Sequence, residues 1–243
     1  MTLGPSPDSP DRRSVSVVLP IHCQEDHIGS LVRGFHDALG DLAVAIEIVC
    51  VVNNSSDRSA EICREIASER AGIVVLEIPE SGWGRAVRTG IDAATGDVIA
   101  YTNAARTTPR DLRTAVALAL LDETLVVKAL RRNRDSFFRR AGSVLYNFEA
   151  RALFGLASWD LNGTPKVFPR EHTQLLELGE SGDLIDLEFL VACQRHGYAV
   201  IEYPVTSTTR HSGKSTTNLK SAVWMYLGAI RLRRRLGPWR STE

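Results

Sequence analysis

Asp186 and Glu188 stand two residues apart at the head of an apolar run, Phe189-Leu190-Val191, where a helix is expected to begin. A carboxylate so placed can take a proton from a substrate hydroxyl as general base. Acids at a helix start are also favoured by the helix dipole alone. Lys166, in Pro165-Lys166-Val167-Phe168, is a cation at the start of a short strand. The stretch Arg210-His211-Ser212-Gly213-Lys214-Ser215 sets Arg, Lys and hydroxyls around a glycine. Such a loop lets the backbone approach a phosphate closely, although a solvated loop has the same composition. Gly82-Trp83-Gly84 opens a helical pattern, where unpaired N–H groups favour an anion; a tight turn alone would also account for both glycines. Arg88 falls one turn into that helix, toward ligand or solvent. His22 and His211 can titrate near neutrality, but neither has an evident partner in the sequence, and both read as ordinary histidines.

Another stretch is informative for what it lacks. The stretch from Gly96 to Pro109 reads as a buried strand running into a loop, which holds Asn103-Ala104-Ala105-Arg106, and then a helix start at Pro109. Mg²⁺ and Mn²⁺ prefer hard, charged oxygens. Asn103 offers one neutral carbonyl and Ala105 none, so no tightly bound Mg²⁺ or Mn²⁺ is expected, no metal ligand is assigned and no cofactor is implied. Arg106 is either a cation facing phosphate or a surface residue.

The elements that must position these residues follow from hydrophobic periodicity. Val15 to Pro20 is a β-branched run ended by proline, hence a strand. Ile28, Leu31, Val32, Phe35 and Leu39 have helical spacing, with Gly40 as the cap. Ile46 to Val52 is a continuous apolar strand, as in buried parallel sheets; a helix follows from Ser56-Asp57 to Arg70. Ile73 to Ile78 is a strand, Gly84 to Ala94 a helix and Val98 to Thr102 a strand. Further on, Leu125 to Leu130 is a strand, Phe137 to Leu156 a long helix, and Lys166 to Phe168 a short strand before a helix near Glu171. Leu184 to His196 is a helix, Tyr198 to Val205 a strand, Thr206 to Thr217 a polar loop, and Asn218 to Leu236 an amphipathic helix. Alternating strands and helices specify an α/β protein with a mostly parallel sheet and right-handed crossovers. Ligands then sit at the carboxyl ends of the strands, which here are Pro20 to Glu25, Val52 to Asp57, Glu80 to Arg88 and Asn103 to Thr108. No G-x-G-x-x-G follows the first strand, which argues against a dehydrogenase.

Formal net charge is zero, which argues against a nucleic-acid partner. The balance is uneven, for no acidic residue occurs between Arg210 and Arg240. Cys23, Cys50, Cys63 and Cys193 form no metal or C-x-x-C spacing and read as reduced thiols of a cytoplasmic protein. No apolar run suits a membrane span or a secretory leader. Residues 1–13, rich in Pro, Ser and Asp, are expected to be a disordered lead-in. The stretch 218–243 is expected to be a basic amphipathic helix and tail. That helix either packs on the core or lies on an anionic membrane surface, which would put the protein at the inner face of the membrane.

Taken in order, several segments resemble glycosyltransferase family 2, near its dolichyl-phosphate mannose synthase-like branch. Pro20-Ile21-His22-Cys23-Gln24-Glu25 stands for P-x-x-N-E-x, and Val52-Asn53-Asn54-Ser55-Ser56-Asp57 for D-D/N-G-S-x-D. Ser81 to Gly90 resembles K-G-x-G-x-A-x-x-x-G, Asp160 to Phe168 D-x-N-x-x-P-K-x-F, Asp186-Leu187-Glu188 D-x-E, and Glu202 to Val205 E-x-P-V. The resemblance runs from Val15 to about Thr217. It implies a GT-A fold over 14–217, with a nucleotide-binding half (14–108) and an acceptor half (109–217). It also implies a nucleotide-diphosphate sugar donor and inverting transfer. On it, Asn103-Ala104-Ala105 stands where the family carries its metal-holding D-x-D.

The resemblance therefore implies substrate contacts at Pro20, His22, Glu25, Asn53, Asp57, Gly82, Trp83, Arg88, Asn103, Arg106, Arg210 and Lys214. Asn53 can read a base edge, or with Asn54 simply turn the chain; Asp57 can touch ligand or cap its helix. With no metal, Lys166, Arg106, Arg210 and Lys214 would face the diphosphate. Asp186, with Glu188 beside it, would act as base toward a hydroxyl compound; a polyprenyl phosphate acceptor would need none. The competing expectation is a degenerate GT-A protein that only binds a nucleotide or a partner.

Overall fold

The computed structural model describes residues 13–42, 44–131, 147–205 and 219–237, of which 219–225 as backbone alone. Along the first half, strand and helix alternate: β1 (Ser14–Ile21), α1 (Ile28–Gly40), β2 (Ala45–Asn53), α2 (Ser59–Glu69), β3 (Ile73–Ile78), α3 (Trp83–Ala93), β4 (Val98–Tyr101) and α4 (Pro109–Ala119). After β5 (Val126–Arg131) come a helical segment α5 over 147–154, β6 (Lys166–Pro169), α6 (Ile185–Arg195), β7 (Val200–Val205) and α7 (Leu219–Leu236). The helix expected over Phe137 to Leu156 falls partly outside the described residues. Near Glu171 the expected helix is a single 3-10 turn, Thr173–Leu175. It is closed by the Leu175 amide on the His172 carbonyl, and its only buried residue is Leu175, so no apolar face holds a longer helix.

The strands make one sheet in the order β3-β2-β1-β4-β6-β5-β7. The β3-β2-β1-β4 part is parallel throughout, β6 runs antiparallel between β4 and β5, and β7 pairs parallel with β5. The α/β, mostly parallel reading of the sequence holds. Helices cover both faces. Val15, Val17, Leu19 and Ile21 of β1 point to a core shared with α1, α2 and α4. Val18 points the other way, to a core shared with α3, α5, α6 and α7. In α7, Ala229 and Leu232 are buried in that second core, so the C-terminal helix packs on the sheet's helical layer.

A proline inside a central strand needs an explanation, because it cannot donate to the ladder. Val18 accepts from Thr102 on the β4 side, and Pro20, two residues on, turns its backbone to the same side. There β4 has already ended at Tyr101, so Pro20 deprives no neighbour of a bond. The same divergence of β1 and β4 opens the carboxyl edge of the sheet, where the candidate residues collect.

Candidate active site

At the ends of β1 and β2 the polar groups mostly hold one another. The buried Asn53 donates its amide to the Ile21 carbonyl at 3.0 Å. His22, read from the sequence as lacking a partner, has Nδ1 2.8 Å from the Asn53 carbonyl, which sets its proton on Nδ1. Asp57 accepts from the Glu25 amide at 3.0 Å and from the Ser59 amide at 3.1 Å. Burial pushes the Asp57 carboxyl up, but the bonds from Ser59 and Glu25 outweigh it and hold the group below its ordinary value. The Glu25 carboxylate in turn accepts from the Arg58 amide at 2.9 Å. Asp57 and Glu25 thus lock the β1 and β2 loops to each other. Asp57 serves the first turn of α2, as one of the two sequence readings had it, while Arg58 occupies the cap position.

The loop after β4 is closed on itself. The side-chain oxygen of Asn103 accepts from the Ala105 amide at 2.8 Å, the Thr107 amide reaches the Asn103 carbonyl at 3.2 Å, and Thr102 donates to Thr107 at 2.7 Å. Ala104 and Ala105 are 4% and 5% exposed, and Ala104 packs into the α1/α4 core. His27, which sequence reasoning passed over, has Nε2 3.0 Å from the Ala104 carbonyl. Two methyl groups turned inward and one amide oxygen already accepting a bond do not fit a divalent cation. Among the described residues, no group of three His, Cys, Asp or Glu could hold a metal. Arg106 lies half-buried at the loop's end.

Asp186 and Lys166 meet below this edge. Both are buried; the Lys166 ammonium donates to Asp186 Oδ1. The Tyr101 hydroxyl donates to the same oxygen at 2.9 Å, and the Trp83 indole N–H donates to Oδ2 at 3.2 Å. Three elements, β4, β6 and α3, therefore converge on one carboxylate of α6. Burial pushes the lysine below its usual value, Asp186 draws it part of the way back, and Lys128 pushes it down again. Burial and the Asp186 charge push the Tyr101 phenol well up, so it stays a donor. Lys166 was expected to face a diphosphate. With no exposed surface and its charge on Asp186, it is instead the counterion that orients that acid.

Two further pairs went unread in the sequence. Lys128, the cross-strand neighbour of Lys166, is paired with Glu202 at 2.7 Å. Arg131 grips Asp160 through both ends of its guanidinium, at 2.7 and 2.6 Å. A charged residue inside an otherwise apolar strand, as at Lys128, was the available signal.

Glu188 meets none of the groups that hold Asp186. One of its oxygens accepts the amides of Gly179 (2.9 Å) and Glu180 (2.7 Å), and the other accepts from Arg235 at 2.8 Å. It is a brace for the 179–182 loop, not a second base. That loop lies across the start of α3. The Arg85 amide donates to the Ser181 carbonyl at 3.0 Å, and Arg88 donates to Gly179 at 3.0 Å. A Cβ on Gly84 would come within 2.5 Å of the Glu180 carbonyl oxygen, so the glycine there admits protein backbone. The N–H groups of Gly82-Trp83-Gly84-Arg85 are therefore partly spent on the chain itself. Arg210, His211 and Lys214 lie outside the described residues.

The chain as a whole has counterparts among known proteins. The description "Glycosyl transferase family 2" matches residues 16–174. The chain belongs to glycosyltransferase family 2. This family 2 chain is 33% identical over 213 residues to an undecaprenyl-phosphate 4-deoxy-4-formamido-L-arabinose transferase of Edwardsiella ictaluri, covering 86% of the chain and 64% of that protein. A protein of the same name from Pseudomonas fluorescens is 30% identical over 159 residues, covering 64% and 47%. The chain thus spans from about half to just under two thirds of the length of these relatives. Its fold is similar to that of glucosyl-3-phosphoglycerate synthase from Mycobacterium tuberculosis in complex with Mn²⁺, uridine-diphosphate-glucose and phosphoglyceric acid. The TM-score is 0.69 at 21% identity, over 93% of this chain and 81% of that one. The fold is GT-A.

Proposed function

We propose that this family 2 member moves a sugar from a nucleotide-diphosphate donor to a polyprenyl phosphate, with inversion and without a divalent ion at the loop after β4. Asp186 carries the reading of the acceptor. Its carboxylate is buried and already accepts from Lys166, Tyr101 and Trp83. Of the roughly four lone-pair positions of a carboxylate these donors take three, and the side chain is only 6% exposed, which leaves little of it to meet a hydroxyl. A phosphate acceptor arrives ionised and needs no base, so Asp186 serves to set the floor of the acceptor side. The names of the 30–33% identical relatives point to the same acceptor class.

The donor would lie along the ends of β1, β2 and β4, with His22, Asn53 and the Asn103–Arg106 loop lining it. Arg106, Arg210 and Lys214 are the cations proposed for the diphosphate, as charge develops on the leaving group. On α7, Leu227, Ile230, Arg231 and Arg234 are exposed on one helical face. Apolar and cationic side chains together suit the anionic surface in which a polyprenyl phosphate is dissolved. No helix among the described residues is long and apolar enough to cross a membrane.

The test is transfer of label from a panel of nucleotide sugars to undecaprenyl phosphate, extracted into solvent, with and without EDTA. Label in the lipid fraction, undiminished by chelator, is expected. Loss with EDTA and recovery with Mn²⁺ would refute the metal-free part; transfer to hydroxyl compounds alone would refute the acceptor. The closed, carboxylate-free loop also favours a second reading, a nucleotide- or partner-binding module. Calorimetric binding of a sugar nucleotide without turnover on any acceptor would decide for it.

A further inference from the structure

We propose that α7 positions Asp186 from a distance, with Arg235 as the positioning residue. This rests on the reading of Asp186 as part of the acceptor side. Arg235 bridges two acids, Glu188 at 2.8 Å and Glu180 at 2.9 Å. Glu188 lies two residues beyond Asp186, on the first turn of α6. Its second oxygen holds the amides of Gly179 and Glu180. One arginine therefore ties the C-terminal helix to the helix that carries Asp186 and to the loop that leads into it.

A second contact acts on the same segment. A Cβ at Gly228 of α7 would lie 2.3 Å from Leu184 Cδ1, and Leu184 is the cap residue of α6. The α7 backbone thus rests directly on the residue where the loop becomes the helix. From the opposite side, α3 holds the loop through Arg85 and Arg88 and holds Asp186 through the Trp83 indole. The loop is clamped between α3 and α7. If the α7 side is released, α6 loses the support that fixes its first turn, and Asp186 can leave the geometry in which Trp83, Tyr101 and Lys166 meet it. Arg235 is itself half exposed, at 49%, so the clamp is strong in geometry but open to screening by salt.

Arg235→Ala and Gly228→Ala test this, with Arg235→Lys and the double variant Gly228→Ala/Leu184→Ala as rescues. Amide hydrogen exchange at Gly179, Glu180 and Arg85 is the first readout, and it needs no substrate. In Arg235→Ala it should rise roughly three- to tenfold, as loss of a partly screened charge-assisted contact allows, while exchange in β1, β2 and β4 stays as in the parent. The second readout is transfer kinetics. The KM for polyprenyl phosphate should rise and kcat fall, while sugar-nucleotide binding by calorimetry is unchanged. Arg235→Lys should recover part of both, and the Leu184→Ala change should relieve Gly228→Ala. Unchanged exchange at Gly179 and Glu180 would overturn the proposal. So would loosened amides with parental kinetics, or a rise in exchange spread through the whole sheet. A parent protein that transfers no sugar would sink the transferase reading instead, and leaves the exchange result to judge the clamp.

Discussion

Lys166→Met and Asp186→Asn should each destabilise the protein, by different amounts, and the double variant should cost much less than their sum. The side chains are 0% and 6% exposed. Removing one member of such a pair costs about 3–5 kcal/mol, because the other charge stays buried without its partner. The partners left behind are not equal. In Lys166→Met the carboxylate keeps the Tyr101 hydroxyl at 2.9 Å and the Trp83 N–H at 3.2 Å. Bonds to a charged group are worth about 1.5–3 kcal/mol each, so this loss should fall at the lower end, about 3 kcal/mol. In Asp186→Asn the ammonium keeps the faces of Tyr101 and Phe189, at 5.3 and 5.9 Å, and still opposes Lys128 across the strand pair. That loss should be about 5 kcal/mol. The double variant leaves neither charge unpaired, so a coupling of about 3 kcal/mol is expected. Urea unfolding of the four proteins measures it. The sign with pH follows from Lys166, whose proton affinity burial lowers and Asp186 partly restores. Without Asp186 the folded state gives up that proton earlier than the unfolded chain. The unfolded state then binds more protons on the alkaline side, and stability rises with pH toward the ordinary lysine value. The gap between Asp186→Asn and the parent should therefore narrow as pH rises toward the ordinary lysine value. Additive losses, Asp186→Asn milder than Lys166→Met, or a gap that does not narrow would refute the account of this pair.

Asp97 is held below its ordinary value by the hydroxyl and amide of Ser14, which donate to it at 2.7 and 2.9 Å. Stability from a depressed carboxyl is present above the unfolded value and lost as pH falls through the folded one, so urea midpoints of Asp97→Asn should depend less on pH below about pH 4 than those of the parent. Parallel curves would refute this. At the loop after β4, Ala104→Asp puts a carboxylate where the methyl is 4% exposed, at a cost of a few kcal/mol, on the order of 2–5. Added Mn²⁺ should not recover the lost urea midpoint; recovery would mean that the loop can open to a cation.

What periodicity could see, it saw. Ile28, Leu31, Val32, Phe35 and Leu39 are all buried on one side of α1, and the continuous apolar run of β2 is a central strand. The chemistry-bearing residues were legible by type, as Asp186, Lys166 and the altered Asn103-Ala104-Ala105 loop, but their partners were not. Lys166 finds Asp186 twenty residues on, Trp83 finds it across 103 positions and Arg235 finds Glu188 across 47. Nothing in local spacing encodes such pairs; they exist because β4 and β6 lie side by side and α3, α6 and α7 share one face. That is why two acids of one D-x-E element parted company. Asp186, one position into the first turn, meets the sheet edge and its lysine, while Glu188, two residues further round the helix, meets the loop and α7. In a helix, residues two apart point about 200° away from each other, so a shared motif could never have meant a shared role. The same geometry accounts for the balance of charge around the acid. Lys166 answers its charge from within the sheet, and the loop after β4 closes over two buried alanines.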